Sequence, residues 1–262
     1  LRLHREFDGK IKQIAISSSD FSFNKLKISP EELGEILAVN FEMANYQFDQ
    51  HKTLPKDLVP VETIVINGAS KADQESIARG QIIGDEVNAC RSLANTPPGL
   101  MTPSLLAEAA QEAAKGTKVR VKVLDRDDMK ILKMGAVLGV AQGSSEEPKF
   151  IVMEYNGTGP ASRKASQDNK NDGPIVLVGK GVTFDSGGLN LKPDEHIYEM
   201  HMDMSGSAAV IHAIIAAAKL GVKQNIVALV PAVENMPSGS SYRPGDVLTS
   251  MSGATIEVLN TD

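Results

Sequence analysis

Cysteine is nearly missing from this 262-residue chain, long apolar runs are missing altogether, and no block of Lys or Arg occurs. The single cysteine, Cys90, excludes an internal disulfide framework and makes a reducing compartment, the cytoplasm, the simplest setting. No stretch reaches the roughly 18 consecutive apolar residues of a membrane span. The opening, Leu1 to Lys10, is charged and has no apolar signal core. It starts on Leu1 rather than Met, so the expectation is a cut N-terminus. With 27 Lys plus Arg against 33 Asp plus Glu the formal charge is -6, and unclustered positive charge argues against nucleic acid or an anionic membrane as partner. A small or neutral partner is expected. A chain of this length with 42 % hydrophobic residues buries about 70–75 % of its unfolded surface, so folding needs no covalent or metal staple. Any metal is then expected to be catalytic rather than structural.

Along the chain, Ile11 to Ser17 alternates as a strand does. Ser29-Pro30-Glu31-Glu32 forms a capping box with Pro at the first helical position, opening a helix towards Gln47, and Val61 to Asn67 is a further short strand. A long helix from Lys71 to Ala94 ends at the breaker Asn95-Thr96-Pro97-Pro98-Gly99 and reads as a linker. Thr102-Pro103-Ser104 opens another helix through about Ala114, and Lys118 to Leu124 alternates as a half-exposed strand. Strand-like segments follow at Phe150 to Tyr155, Pro174 to Val178 and Ile226 to Val230, the last two almost wholly apolar, with a helical stretch at Gly206 to Leu220. Apolar runs of that kind predict an α/β fold with a mostly parallel central sheet covered by helices on both faces. The polar, glycine-rich Gly157 to Asp172 is expected to be a mobile surface excursion.

The densest chemistry lies in Val178 to Lys192, directly after an apolar strand. A phosphate loop fails on spacing: Gly173 to Gly179 encloses five residues where four are required, and Gly181 replaces the Ser/Thr that would hold magnesium. Loops at the ends of parallel strands are where open α/β sheets build their sites, and Asp185 falls there beside Ser186-Gly187-Gly188, which let backbone approach a ligand. Asp203 follows 18 residues later among methionines, and Ile256 to Asp262 reads as a strand ending in a third acid. Buried carboxylates are normally paired or metal-bound, and three at strand ends would suit hard or borderline divalent cations. Solvated loop acids remain the alternative on residues alone. His196, His201 and His212 are spaced by 5 and 11 and no HExxH occurs, so a histidine zinc site is not supported. Ser186 has no Gly-x-Ser-x-Gly elbow, and Cys90 has no activating partner nearby, which makes it a core or interface residue.

Val178 to Lys192, Met200 to Ala209, Asn95 to Pro103 and the closing Asn260-Thr261-Asp262 together resemble leucyl aminopeptidases of the cytosol aminopeptidase (M17) family. The intervals from Lys180 to Asp185, Lys192, Asp203 and Asp262, which are 5, 12, 23 and 82, fit that family's spacing. The resemblance covers about residue 80 onward. It implies a dinuclear metallo-aminopeptidase with two divalent ions per subunit, Zn or Mn, with Mg or Co also admissible. Asp185 would bridge the ions, Asp203 and Lys180 would complete one site, and Asp262 would belong to the other. A ligating lysine must give up its proton, which at neutral pH costs roughly 4–5 kcal/mol. Metal binding on the order of 10 kcal/mol can offset that. Lys192 would stay protonated as the catalytic electrophile, and Met200 and Asn260 would line or support the substrate pocket. Peptide substrates with leucine-like first residues, a bicarbonate general base and a homo-hexamer are further implications.

In this reading, residues 1–75 are the C-terminal part of an N-terminal α/β domain, 76–99 a linker helix and turn, and 100–262 the first part of the catalytic domain. The family's signature continues with Glu and Arg two and four residues past Asp262, beyond the sequence, so this stretch alone is expected to be inactive. The alternative reading is a catalytically incomplete polypeptide with a binding role, DNA included, against which the acidic balance weighs.

Overall fold

The computed structural model describes residues 11–21, 28–53, 60–158 and 173–262, in two compact units, the first ending at Ala89 and the second beginning at Cys90. Leu1 to Lys10, and the Gly157 to Asp172 excursion beyond Thr158, lie outside the described residues. No described helix is long and apolar enough to cross a membrane.

In the first unit, strands β1 (Gln13–Ser17) and β2 (Thr63–Asn67) pair in parallel. Helix α1 (Pro30–Asn45) starts at the expected capping box: Ser29 Oγ accepts from the Glu32 N–H and the Glu32 carboxylate accepts from the Ser29 N–H. Helix α2 is Lys71–Asn95, of which the residues up to Ala89 belong to this unit. Gly80 and Gly84 on α2 meet α1 closely. A Cβ on Gly80 would lie 2.4 Å from the Glu35 carbonyl oxygen, and one on Gly84 would lie 2.5 Å from Glu42 Cβ. Two small residues one turn apart thus set the approach of the helices. The crowding also covers the Glu42 carboxyl, which burial and then the neighbouring Asp85 push above its ordinary 4.5.

The second unit is built on a five-stranded sheet. Helix α3 (Pro103–Ala114), capped by Thr102, leads into β3 (Val119–Leu124), short helices α4 (Arg126–Ile131) and α5 (Gly135–Ala141), and β4 (Lys149–Asn156). Strands β5 (Ile175–Val178) and β6 (Gly181–Asp185) precede the short helix α6 (Asp194–Ile197). Helix α7 (Ser205–Lys219) then returns the chain to β7 (Asn225–Asn235), and β8 (Val247–Thr249) and β9 (Thr255–Glu257) form a separate hairpin. Ile151, Met153 and Tyr155 of β4 and Ile226, Ala228, Val230 and Ala232 of β7 face Leu106, Ala110, Ile211, Ile214 and Ile215 of α3 and α7. Each of the Ile, Leu, Val and Met side chains among them contributes about 1.5–3 kcal/mol by leaving water.

The α/β class and the helices flanking a central sheet agree with expectation, but the sheet is mixed rather than mostly parallel. Strand β4 pairs antiparallel with both β3 and β7, and only β5 and β6 run parallel to β7. An apolar run records burial, not the direction of its neighbour. Nor is β5 covered on both faces among the described residues, since Val176 and Val178 are 52 % and 69 % exposed. Two further expectations shift. Asp185 lies on a strand, β6, rather than in a loop, and the strand read as ending at Asp262 stops at Glu257.

Strand β7 carries β5 and β6 end to end along one edge. Residues Ile226 to Leu229 pair with β5 and Ala232 to Asn235 with β6, so Pro231 lies opposite the break at Gly179-Lys180, where that ladder is interrupted. A bulge between Val182 and Phe184 then advances β6 by one residue, bringing Asp185 level with Asn235 instead of Met236.

Because the Glu42 carboxyl is raised in the fold, its contribution to stability is full below its unfolded value and is lost as pH rises through its folded value. Glu42→Gln is therefore expected to raise the melting temperature at pH 7 and to have no such effect at about pH 4. Thermal unfolding at the two pH values checks this, and an equal gain at both would contradict it.

Candidate functional site

The end of β6 opens a loop, Ser186 to Lys192, closed by a 2.9 Å hydrogen bond from the Lys192 N–H to the Ser186 carbonyl. Gly187 and Gly188 take positive φ of 87° and 63°, and a Cβ on Gly188 would lie 2.8 Å from Asn235 Oδ1. The turn returns the Lys192 side chain over the strand end, where Nζ lies 3.6 Å from Asp185 Oδ2 and donates to Asp262. Its side chain is only 14 % exposed. The hydrogen bond to Asp262 holds the Lys192 amine above the usual lysine range; burial opposes this and the charge of Asp185 adds to it.

Beside this pair, Lys180 occupies the break between β5 and β6. Its carbonyl accepts from the Ser207 N–H at 2.9 Å, in the first turn of α7, and its Nζ lies 3.0 Å from Asp203 Oδ2. Asp203 follows a 3₁₀ turn, Met200–Met202. Burial pushes the Asp203 carboxyl up; Lys180 draws it down and nearby Asp185 pushes it up again. Although it faces Lys180, Asp203 Oδ2 is buried without a hydrogen bond of good geometry. Lys180 is 57 % exposed, so this ion pair is screened and contributes little, on the order of 0–1 kcal/mol.

The structure thus brings Lys180, Asp185, Lys192, Asp203 and Asp262 to one end of the sheet. Met200 is half-buried in the turn before Asp203. Asn260 is exposed, and its Oδ1 accepts from the Asp262 N–H at 2.8 Å, shaping the turn that presents that acid. Among the described residues no three His, Cys, Asp or Glu side chains form a metal-sized cluster by themselves.

The residues that hold the site together are ones the sequence reading left without a role. Thr261 is 1 % exposed. Its Oγ1 accepts from the Asn190 N–H at 2.9 Å and donates to the Gly187 carbonyl at 2.8 Å, while its N–H donates to Asn190 Oδ1 at 3.0 Å. Its carbonyl accepts from Asn235 Nδ2 at 2.7 Å and from the Tyr242 hydroxyl at 2.8 Å. Asn235 Nδ2 also donates to Asp185 Oδ1 at 2.8 Å, which the Gly187 N–H reaches at 2.9 Å. Tyr242 is buried, and its hydroxyl is pushed up by that burial and then by the charges of Asp185 and Asp262. The available signal was the polar pair Glu234-Asn235 that follows the apolar run from Ile226.

An α/β domain whose acids and amines gather where sheet strands end belongs to the proteins that place their chemistry at the carboxyl edge of a sheet. Residues 88–262 match the family model described as the cytosol aminopeptidase family, catalytic domain, of Peptidase_M17, and the chain belongs to that family. It is 49 % identical over 193 residues to a probable cytosol aminopeptidase of Ralstonia pickettii (strain 12J), covering 74 % of this chain and 36 % of the relative. It is 45 % identical over 234 residues to one of Syntrophotalea carbinolica (strain DSM 2380 / NBRC 103641 / GraBd1), covering 87 % and 45 %. Among solved structures, the bottromycin maturation enzyme BotP in complex with Mn superposes with a TM-score of 0.81 at 27 % identity, over 95 % of this chain and 50 % of that one. The cytosol aminopeptidase of Coxiella burnetii gives 0.77 at 26 %, over 98 % and 51 %. The chain therefore spans about half or less of the length of these relatives.

Replacing Thr261 by Val keeps its shape and leaves the buried Gly187 carbonyl and the partly covered Asn190 N–H without their partner. The expected loss is about 2 kcal/mol of unfolding free energy, since each unsatisfied buried group costs about 1–3 kcal/mol. Urea denaturation of the variant beside the wild type measures it, and an unchanged midpoint would contradict the clasp.

Proposed function

We propose that the whole protein is a metal-dependent aminopeptidase that removes N-terminal residues from peptides, with Asp185, Asp203, Asp262 and Lys180 as the ligands of two divalent ions. The observation that carries this reading is the cluster itself: three carboxylates at one strand end whose close cationic neighbours are lysine amines. The donor set suits a borderline or hard divalent ion, and the buried Asp203 Oδ2 without a hydrogen bond is an acceptor such an ion would satisfy. Family membership supports the reading, as does the Mn complex of the similar BotP. When bound, the ions supply Lewis acidity towards water and towards the substrate's free α-amino group, which accounts for a preference for chain ends.

Asp185 has one carboxylate oxygen held by the Gly187 and Asn235 N–H groups, leaving Oδ2 directed at the centre of the cluster. Asp203 and Lys180, already 3.0 Å apart, would share one ion, with Lys180 giving up its proton to do so. Lys192 keeps its proton at Nζ, because its carboxylate partner holds the amine above the ordinary lysine range. It therefore directs a cation at the scissile carbonyl oxygen and at the negative charge that builds there. Met200 and Asn260 support the substrate pocket. The proposal extends to leucine-like first residues, a bicarbonate general base, a cytosolic setting and a homo-hexamer, all resting on the resemblance of the motifs.

In the whole protein, hydrolysis of leucyl-p-nitroanilide is expected to require Mn²⁺ or Zn²⁺ and to stop with chelator. Asp185→Asn is expected to abolish turnover and lower bound metal, measured by elemental analysis after dialysis; metal content equal to wild type would defeat the ligand assignment. Lys192→Ala is expected to reduce kcat by about 10²–10³ while metal content is kept. Metal lost together with activity would instead make Lys192 part of the metal site's support.

A further inference from the structure

We propose that Asn235 is a positioning residue whose single side-chain amide sets the spacing between Asp185 and Asp262, by donating one N–H to Asp185 and the other to the carbonyl of Thr261. This rests on the reading of both acids as metal ligands. The two acceptors, a carboxylate oxygen and a backbone carbonyl oxygen, have no proton to give, so the amide orientation is forced: only the NH₂ end can face them. The opposite end of the amide, Asn235 Oδ1, is buried and faces Gly188.

The strand end holds this amide rigidly. Asn235 is 3 % exposed, lies level with Asp185 in the β6 to β7 pairing, and its own carbonyl accepts from the Ser186 N–H at 3.0 Å and the Ser186 hydroxyl at 2.7 Å. With the main chain fixed at that point, the two N–H vectors of one planar group fix the plane of the Asp185 carboxylate and the height of the Thr261 carbonyl together. Asp262 is the next residue. Tyr242 supplies a second donor to Thr261 but is not bonded to Asp185, so of the two side chains that donate to the Thr261 carbonyl it is Asn235 that also holds Asp185. A charged residue in its place would either compete with the cation or repel the carboxylates; a neutral double donor does neither.

The test compares wild type, Asn235→Leu, Asn235→Ala and Asp185→Asn in the whole protein, titrated with Mn²⁺ alone and followed by electron paramagnetic resonance of free against bound metal. Melting temperatures are recorded without metal. Leu keeps the volume and removes both the donors and the unsatisfied oxygen; Ala adds no atoms to the buried site. The expected result is at least tenfold weaker Mn²⁺ binding in both Asn235 variants, with the Leu variant's metal-free melting temperature close to wild type. Binding within twofold of wild type in either folded variant overturns the proposal. A lowered melting temperature with unchanged Mn²⁺ affinity would show a purely structural role and overturns it too. Loss of binding in Asp185→Asn with full binding in the Asn235 variants would leave the metal reading standing and this one refuted. Wild type that binds no Mn²⁺ removes both.

Discussion

Like charges repel, and three aspartates gathered at one end of a sheet set the terms for everything built around them. The fold offsets this with amines. Lys192, threaded back by the Gly187-Gly188 turn, lies between Asp185 and Asp262, and Lys180 stands against Asp203. The two lysines are not equivalent. The Lys192 side chain is largely covered and its interactions are little screened, whereas Lys180 is more than half exposed and its pairing with Asp203 is weakened by water. That difference suits the role proposed for Lys192, a cation held between Asp185 and Asp262.

Neutral groups do the holding. A further charge inside the cluster would add to the imbalance, so the segments carrying the acids are tied by hydroxyl, amide and phenol: Thr261 to Gly187 and Asn190, Asn235 to Asp185 and Thr261, Tyr242 to Thr261. Hydrogen bonds from neutral donors fix orientation without altering net charge, and in a buried site each is costly to leave unmade. The cluster is therefore a polar network in which nearly every buried atom is satisfied, with Asp203 Oδ2 and Asn235 Oδ1 as its two unsatisfied atoms.

Elements with local signals were legible from the chain. The Ser29 to Glu32 box, Thr102 ahead of Pro103, and the alternation from Val119 to Leu124 each depend on residues within four positions of one another, and helices α1 and α3 and strand β3 stand where those signals place them. Strand β6 was not legible. Gly181-Val182-Thr183-Phe184-Asp185 is flanked by glycine-rich sequence and is a strand because β7 offers it a ladder. Strand β7 itself continues to Asn235, past Pro231, a residue that reads as a stop and is tolerated opposite the break between β5 and β6. The sheet's direction was misread for a related reason: apolar runs in β5 and β7 indicate a sheet core but do not say that β4 enters beside β7 in the opposite sense.

By itself the sequence determined the chemistry available, the spacing of Lys180, Asp185, Lys192, Asp203 and Asp262 and with it the family, because the identity and order of side chains are its direct content. Tertiary structure alone decided how those groups meet. Asn235 and Asp185 are 50 residues apart and Thr261 and Gly187 are 74 apart, so their hydrogen bonds follow from a bulged strand register and a closing turn, not from any local preference. A one-residue change in that register would leave every side chain present and the amide that joins the acids out of reach, because successive residues of a strand face opposite sides of the sheet.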